Sequence, residues 1–471
     1  MFNTILNVFK VPELRNKVLF TLFMLLIYRI GYHVTIPGAD QEQFAKIAAK
    51  QSDSDGTAAG RLAAYISVFS GGNLNQSTIF GLGVMPYISA SIIMQLLTTV
   101  VPTLEKLQKE GETGRRKIIE WTRFITIPLC VVQAVMWLSY MANPNNALVT
   151  YDMLHNHPTA FWLVGTLSLT AGSVFLMWVG EQIDEYGLGN GTSMIILAGI
   201  VARMPNAVME MANKTSLSAA SSPGKDFNIG HVILLAGLFV FIIAGSILVT
   251  QAQRRIPITQ AKHTRGRKVY GGQKSFLPLR VNHGGVMPII FAQSLMLFPG
   301  LALDWIHSHL ITDNTGPTSS VISFLHSEFQ HAQFLYTMTE LTLIYFFAYF
   351  WTTVQFQPKE MANQLRDYGS FIPGIRPGPR TAAYLEKVMM HITFVGAGFL
   401  CIIAVIPMLI TTSLHIPPVV SQFLGGTGLL IVVSVALDVV QRIEANHLMR
   451  NYSGFLAEGG SKGKRIRGRQ Y

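Results

Sequence analysis

The chain has 471 residues, of which 50% are hydrophobic and only 13% charged, with a mean hydropathy of +0.37. Its charge of +11 would suit a nucleic-acid binder, but most of that charge sits in the connections between apolar runs, so a soluble basic domain is excluded. The two cysteines, Cys130 and Cys401, both lie within apolar runs, which argues against a disulfide framework.

Ten apolar segments follow one another at about 18–36, 78–100, 121–141, 160–179, 192–204, 231–250, 286–306, 337–356, 390–412 and 422–441. A helix of roughly 20 apolar residues crosses a hydrocarbon core of about 30 Å, and a spanning backbone must satisfy its hydrogen bonds internally. The first segment resembles a signal peptide in having basic residues ahead of it. However, Leu19–Ile36 runs beyond an h-region and no small-x-small cleavage site follows, so it is read as a retained span. The loops that include both termini hold 28 of the 36 basic residues, the opposite loops hold six, and Arg29 and Arg123 lie inside spans. Loops retained in the cytoplasm carry such an excess of Lys and Arg. The expected fold is all-α: a polytopic inner-membrane protein with ten transmembrane helices and both ends in the cytoplasm.

The spans divide into five and five around the polar stretch 205–230, giving halves at 1–210 and 211–442 and a basic tail at 443–471 that is expected to be disordered. Repeated halves are common in transport folds, although the sequence shows no convincing internal repeat. Ahead of the second span, Arg61–Gly72 is an amphipathic stretch too short to cross a bilayer. Two readings stay open for it: a re-entrant half-helix lining a cavity, or a surface helix before an ordinary span. The fifth span looks short and opens on the flexible run Gly187–Thr192. That run is no dinucleotide fingerprint, because no strand precedes it.

Catalytic constellations are missing: the chain has no HExxH, no CxxC and no phosphate-binding lysine loop. Charges inside the spans are few (Arg29, Arg123, Asp304, Glu340 and Asp438), and ionisable groups at mid-membrane usually mark ion relays. Any path through the bundle must therefore be lined by neutral side chains. That favours a passive conduit over the rival reading, an ion-coupled carrier for a small solute, and over an intramembrane enzyme. A hydrophobic constriction can seal such a conduit by dewetting. Val84 and Ile88 share one helical face, and Ile196, Ile290 and Ile431 lie at comparable depth. Each taken singly fits lipid contact or ordinary packing equally well.

The runs Gly83–Leu97, Lys109–Arg116, Gly187–Thr192, Phe371–Gly378 and Gly425–Val433 occur in this order along nearly the whole chain, and each resembles the SecY family of protein-conducting channels. The resemblance implies two pseudo-symmetric five-helix halves around an hourglass pore. Its waist would be a ring of Val84, Ile88, Ile196, Ile290 and Ile431, with polar Thr192 one turn before Ile196. A plug at about 63–74 would include Ala63, Tyr65, Ile66, Val68, Phe69, Gly71 and Gly72. A lateral gate would run through Ser89, Gln95, Thr122, Asn282, Ser294 and Phe298, with Gln95, Thr122 and Asn282 bridging it when closed. Arg265, Arg267, Lys268 and Arg376 would dock the ribosome or the ATPase SecA, while SecE and SecG would complete the complex. Signal peptides and nascent chains would pass through, and transmembrane segments would leave sideways into membrane lipid. The resemblance implies no enzymatic activity, cofactor or metal.

Overall fold

The computed structural model describes residues 12–38, 78–142, 158–216, 227–261, 263–265, 268–270, 272, 274–310, 317–329, 333–414 and 427–458. The first half contains α1 (Pro12–Gly31), α2 (Met85–Val100), α3 (Pro102–Lys109), α4 (Glu112–Met141), α5 (Pro158–Tyr186) and α6 (Gly191–Lys214). The short parallel strands β1 (Thr215–Ser216) and β2 (Phe227–Asn228) zip the end of α6 to the start of α7 (Ile229–Gln251). There follow β3 (Gln253–Gln260), β4 (His263–Arg265), β5 (Lys268–Tyr270), β6 (Lys274–Arg280), α8 (Met287–Leu310), α9 (Pro317–Glu328) and α10 (Phe334–Gln355). The chain continues through α11 (Pro358–Asp367), β7 (Ser370–Phe371), α12 (Pro379–Leu414) and α13 (Thr427–Glu458).

Each of the ten apolar segments falls on one helix: α1, α2, α4, α5, α6, α7, α8, α10, α12 and α13. Among the described residues, four helices (α4, α5, α7 and α12) are long and apolar enough to cross a membrane by themselves. Helices α2 and α3, bent by 103° at Val101, together make a fifth. The bend has a local cause. Val101 is extended, and Pro102 opens α3 at a position where a missing N–H costs nothing.

The structure corrects one expectation and adds three details. The fifth span's apolar part is short as expected, ending at Ala202, but helix α6 itself continues through Pro205 to Lys214. The second span begins late: residues 78–84 form turns, with Ile79 N–H donating to Val34 O at 2.9 Å, and the helix starts only at Met85. Helix α13 continues to Glu458, past the last apolar segment. Asp438 and Arg442 pair at 2.9 Å one turn apart on this helix. The helical bundle also carries a small sheet. The loops 251–285 and 357–389 meet in a three-stranded sheet of order β6-β3-β7, in which Thr259 pairs with Phe371 and Gln260 with Ser370.

That sheet forms because β3 alternates. Ile256 and Ile258 point inward, while Arg255 and Pro257 are exposed. Its inner face joins Leu279, Phe356, Ile372, Leu385, Val388, Met389 and Ile392 in one buried cluster, which seats the two loops on the end of α12.

The helices pack in two groups. In the first half α2 lies on α4, α4 on α5, and α5 on both α1 and α6. In the second half α8 lies on α10, α10 on α12, and α12 on α7. The last helix, α13, packs along both α6 and α7, joining the groups. Helices α2 and α8 are not among the closely packed pairs of the described residues.

Candidate functional site

The five aliphatic residues picked out as a constriction come together. Val84 ends the turn before α2, and its carbonyl accepts the Ile88 N–H at 3.0 Å, so both side chains leave one face. Ile196 comes from α6, Ile290 from α8 and Ile431 from α13. With exposures of 1, 9, 5, 4 and 2%, they belong to a single buried cluster. Met85, Ile195, Ile200 and Val435 complete it from the same helices, while Met24, Tyr28, Leu176, Val179 and Ile183 back it from α1 and α5. No charged side chain is part of it. Its aliphatic ring residues offer no fixed charge for water or an ion to enter beside.

Thr192, one turn before Ile196, has a different task. Its hydroxyl donates to Asn190 Oδ1 at 2.7 Å, and the same oxygen accepts the Ser193 N–H at 3.0 Å. Asn190 thus caps α6, as a short polar side chain at a helix start does. Ile195, Ile200 and Val435 were not singled out from the sequence. Their one signal there is the helical spacing 431, 435 and 196, 200, which core packing produces equally well.

The expected gate residues are less collected. Ser89 and Gln95 are half-buried on α2, and Thr122 is buried on α4. The Thr122 hydroxyl donates to Ile118 O at 2.8 Å, and Asn282 Nδ2 donates to Gly285 O at 2.9 Å. None of the described hydrogen bonds joins Gln95, Thr122 and Asn282. A carbonyl one turn back, or at the next bend, is nearer than a partner on another helix. Ser294 and Phe298 lie on α8, with side chains outside the described ones.

Charges within the helices find partners. Arg123 pairs with Glu181 across α4 and α5, and Arg29 lies 4.3 Å over the Tyr32 ring. Buried Glu340 on α10 accepts Gln293 Nε2 of α8 at 3.4 Å.

At the root of α8, Asn282 and His283 line a small polar pocket of about 10 Å³ with Thr352 and Thr393, room for about one water. Thr393 donates to Thr352 Oγ1 at 3.4 Å, and the His283 ring meets Phe356 edge-on at 5.7 Å. Burial, and secondarily the charge of Arg280, hold His283 below its ordinary pKa.

Beside the sheet, Arg376 is exposed in the run Pro373–Gly378, with Gly374 at φ 84° and Gly378 at φ 108°. Its carbonyl accepts the Thr381 hydroxyl at 2.9 Å, tying the turn to α12. Two left-handed glycines, two prolines and this bond fix the backbone that carries the guanidinium. Arg265 and Lys268 face each other as the last pair of the β4–β5 hairpin. Arg267 and the whole plug set (Ala63, Tyr65, Ile66, Val68, Phe69, Gly71 and Gly72) lie outside the described residues.

Residues 78–440 match the family model described as SecY. The chain is 38% identical to the "Protein translocase subunit SecY" of Thermotoga maritima over 465 residues, covering 99% of this chain and all of that one. A solved structure described as that of a protein-conducting channel superposes with a TM-score of 0.58 at 16% identity, covering 95% of both chains. Sec61 in the canine ribosome–channel complex from the endoplasmic reticulum gives a TM-score of 0.55 at 15% identity, also over 95% of both. These structures share its fold.

Proposed function

Because this chain belongs to the SecY family, we propose that it is the pore subunit of a protein translocase, passing unfolded secretory polypeptides across a membrane and releasing transmembrane segments sideways into lipid. The observation that carries this reading is the waist: five aliphatic side chains from four helices of both halves, converging without a charge. Flexible aliphatic side chains can mould around a passing chain and offer it nothing to bind, yet they expel water when it has gone. The protein is a multi-pass membrane protein and acts as a channel rather than an enzyme.

The finer topology belongs to the same proposal. Ten spans form halves 1–210 and 211–442. The membrane is the cytoplasmic (inner) one, with both termini inside, as the basic loops require. Residues 63–74 plug the external funnel. Directionality comes from SecA or from the elongating ribosome, docked on Arg265, Arg267, Lys268 and Arg376, and SecE and SecG complete the complex. Basic loops attract ribosomal RNA phosphates in a salt-dependent way, and the stiff turn presents Arg376 at low entropic cost.

The lateral exit runs between α2/α4 and α8/α10, past Ser89, Gln95, Thr122, Asn282, Ser294 and Phe298. Interhelical hydrogen bonds in membranes are worth about 0.6–2 kcal/mol each. About ten Leu-like residues of a signal peptide gain roughly 3–6 kcal/mol on entering lipid, enough to part a thinly packed seam.

The direct test is reconstitution with candidate SecE and SecA in vesicles, scoring ATP-dependent uptake of a preprotein into a protease-protected space. Uptake that requires both the signal sequence and this subunit is expected. Equal uptake by vesicles lacking the subunit would remove the assignment.

A further inference from the structure

The side of the bundle away from the α2/α8 seam carries an inference that rests on the translocase reading. The chain passes from α5 to α6 through Gly187–Asn190, and this turn holds three other segments. Leu188 donates its N–H to Thr21 Oγ1 of α1 at 3.0 Å, and Gly191 donates its N–H to Asp184 Oδ1 at 2.8 Å. Gly191 lies so close to α5 that a Cβ there would stand 1.9 Å from the Gly180 carbonyl oxygen, so no other residue fits. Gly189 faces α13, where a Cβ would lie 3.4 Å from Val439 Cγ2. Leu188 is buried with Leu14 of α1, and Val18, Val439 and Ile443 pack on the pair.

The contacts of α13 form a stripe. Ile431 and Val435 are in the waist cluster with residues of α1, α2, α5 and α6 and with Ile290 of α8, and Val439 and Ile443 are on the clasp. Four residues spaced by four lie on one helical face, so that face meets the first half along the length from waist to loop. Against this, α13 offers the second half Leu430, which joins the cluster of α8, α10 and α12, the share of Ile431 in a cluster with Ile290, and its packing along α7.

We infer that the clasp binds α13 to the first half, so that α13 stays with α1, α5 and α6 when the channel opens, although the chain order groups it with the second half. Ile431 then keeps its place beside Val84, Ile88 and Ile196, and the waist widens by withdrawal of the wall that carries Ile290. The parting line runs past Leu430, with α7 as the pivot.

The test uses the reconstituted complex carrying Leu188→Cys and Val439→Cys, with Ser89→Cys and Phe298→Cys as a parallel pair across the seam. Buried Cys130 and Cys401 stay in place. Oxidation of the clasp pair should leave ATP-dependent uptake at the reduced rate, whereas oxidation of the seam pair should abolish it. Uptake lost on oxidising the clasp and restored by reductant overturns the inference. A seam pair that forms without blocking uptake counts against the translocase reading instead. If the cysteine pairs perturb folding, spin labels at exposed Glu185 and Glu444 give the same answer. Their separation should not change when a stalled preprotein fills the channel, and an increase would overturn the inference.

Discussion

The two edges of the helix bundle are held in different ways. At the back, the α5–α6 turn is braced on α5 by the Gly191–Asp184 bond and by Gly191 pressed on the Gly180 carbonyl. It holds α1 through the Leu188 N–H on Thr21, and α1 and α13 through a buried leucine pair on which Val439 and Ile443 pack. At the front, α2 and α8 meet through aliphatic side chains at the waist. The polar residues nearby spend their described hydrogen bonds on local backbone carbonyls. Dispersion contacts are weak singly and can be exchanged for contacts with a passing chain, whereas a buried donor stripped of its acceptor costs about 1–3 kcal/mol. On the proposed reading, a bundle so built opens at one edge and keeps the other.

The contrast can be broken in several ways. Leu188→Ala should have the largest effect, lowering the unfolding free energy by about 2–5 kcal/mol as a buried leucine truncation does, read by thermal unfolding in detergent. A change no larger than that of an exposed substitution would mean the back is not fastened there. Ile290→Asn places an amide in the aliphatic waist, at a cost of about 1–3 kcal/mol. Resting vesicles should then leak ions and accept defective signal sequences, while tight vesicles with unchanged stringency would remove Ile290 from the waist.

Arg376→Glu touches neither edge. It should lower SecA-driven uptake by about tenfold, the worth of one interface arginine of roughly 1.4 kcal/mol, with assembly and stability unchanged. Normal uptake would cancel its docking role. Gln95→Ala, at the front, should change stability by less than about 1 kcal/mol, and a loss matching that of Leu188→Ala would erase the contrast.

The smallest effect concerns pH. The folded protein holds His283 below its ordinary pKa of about 6.5, so the folded state binds this proton less readily than the unfolded one. The stability so contributed is present above about pH 6.5 and is lost as the pH falls through the folded pKa. His283→Gln should flatten that acid limb of the melting-temperature profile, and an unchanged limb would place the acid sensitivity elsewhere.

Legibility followed the range of the interaction concerned. The waist residues were assigned through the family resemblance, since depth and helical spacing alone fit lipid contact or core packing. The rigid presentation of Arg376 was readable from two glycines and two prolines within six residues. The joining of the two large loops was not readable. β7 is two residues long, and its pairing with Thr259 and Gln260 spans more than a hundred residues, although the alternation of Ile256 and Ile258 with exposed neighbours was a usable sign of β3. The length of α6 was missed because polar residues after Ala202 end the hydropathy signal without ending the helix. Bridging by Thr122 and Asn282 was implied by the family resemblance; in the structure their described hydrogen bonds go to nearby carbonyls.

The amino-acid sequence by itself determined where the apolar segments lie, which connections carry the positive charge, and the absence of familiar catalytic motifs. Composition and short-range periodicity govern those properties, and lipid and water read them locally. Only the tertiary structure decided that five distant aliphatic residues share one cluster, that two loops make one sheet, and that α13 turns its stripe of Ile431, Val435, Val439 and Ile443 toward the first half. An apolar face fits many neighbours equally well, and the one it meets is set by the packing of all the helices together.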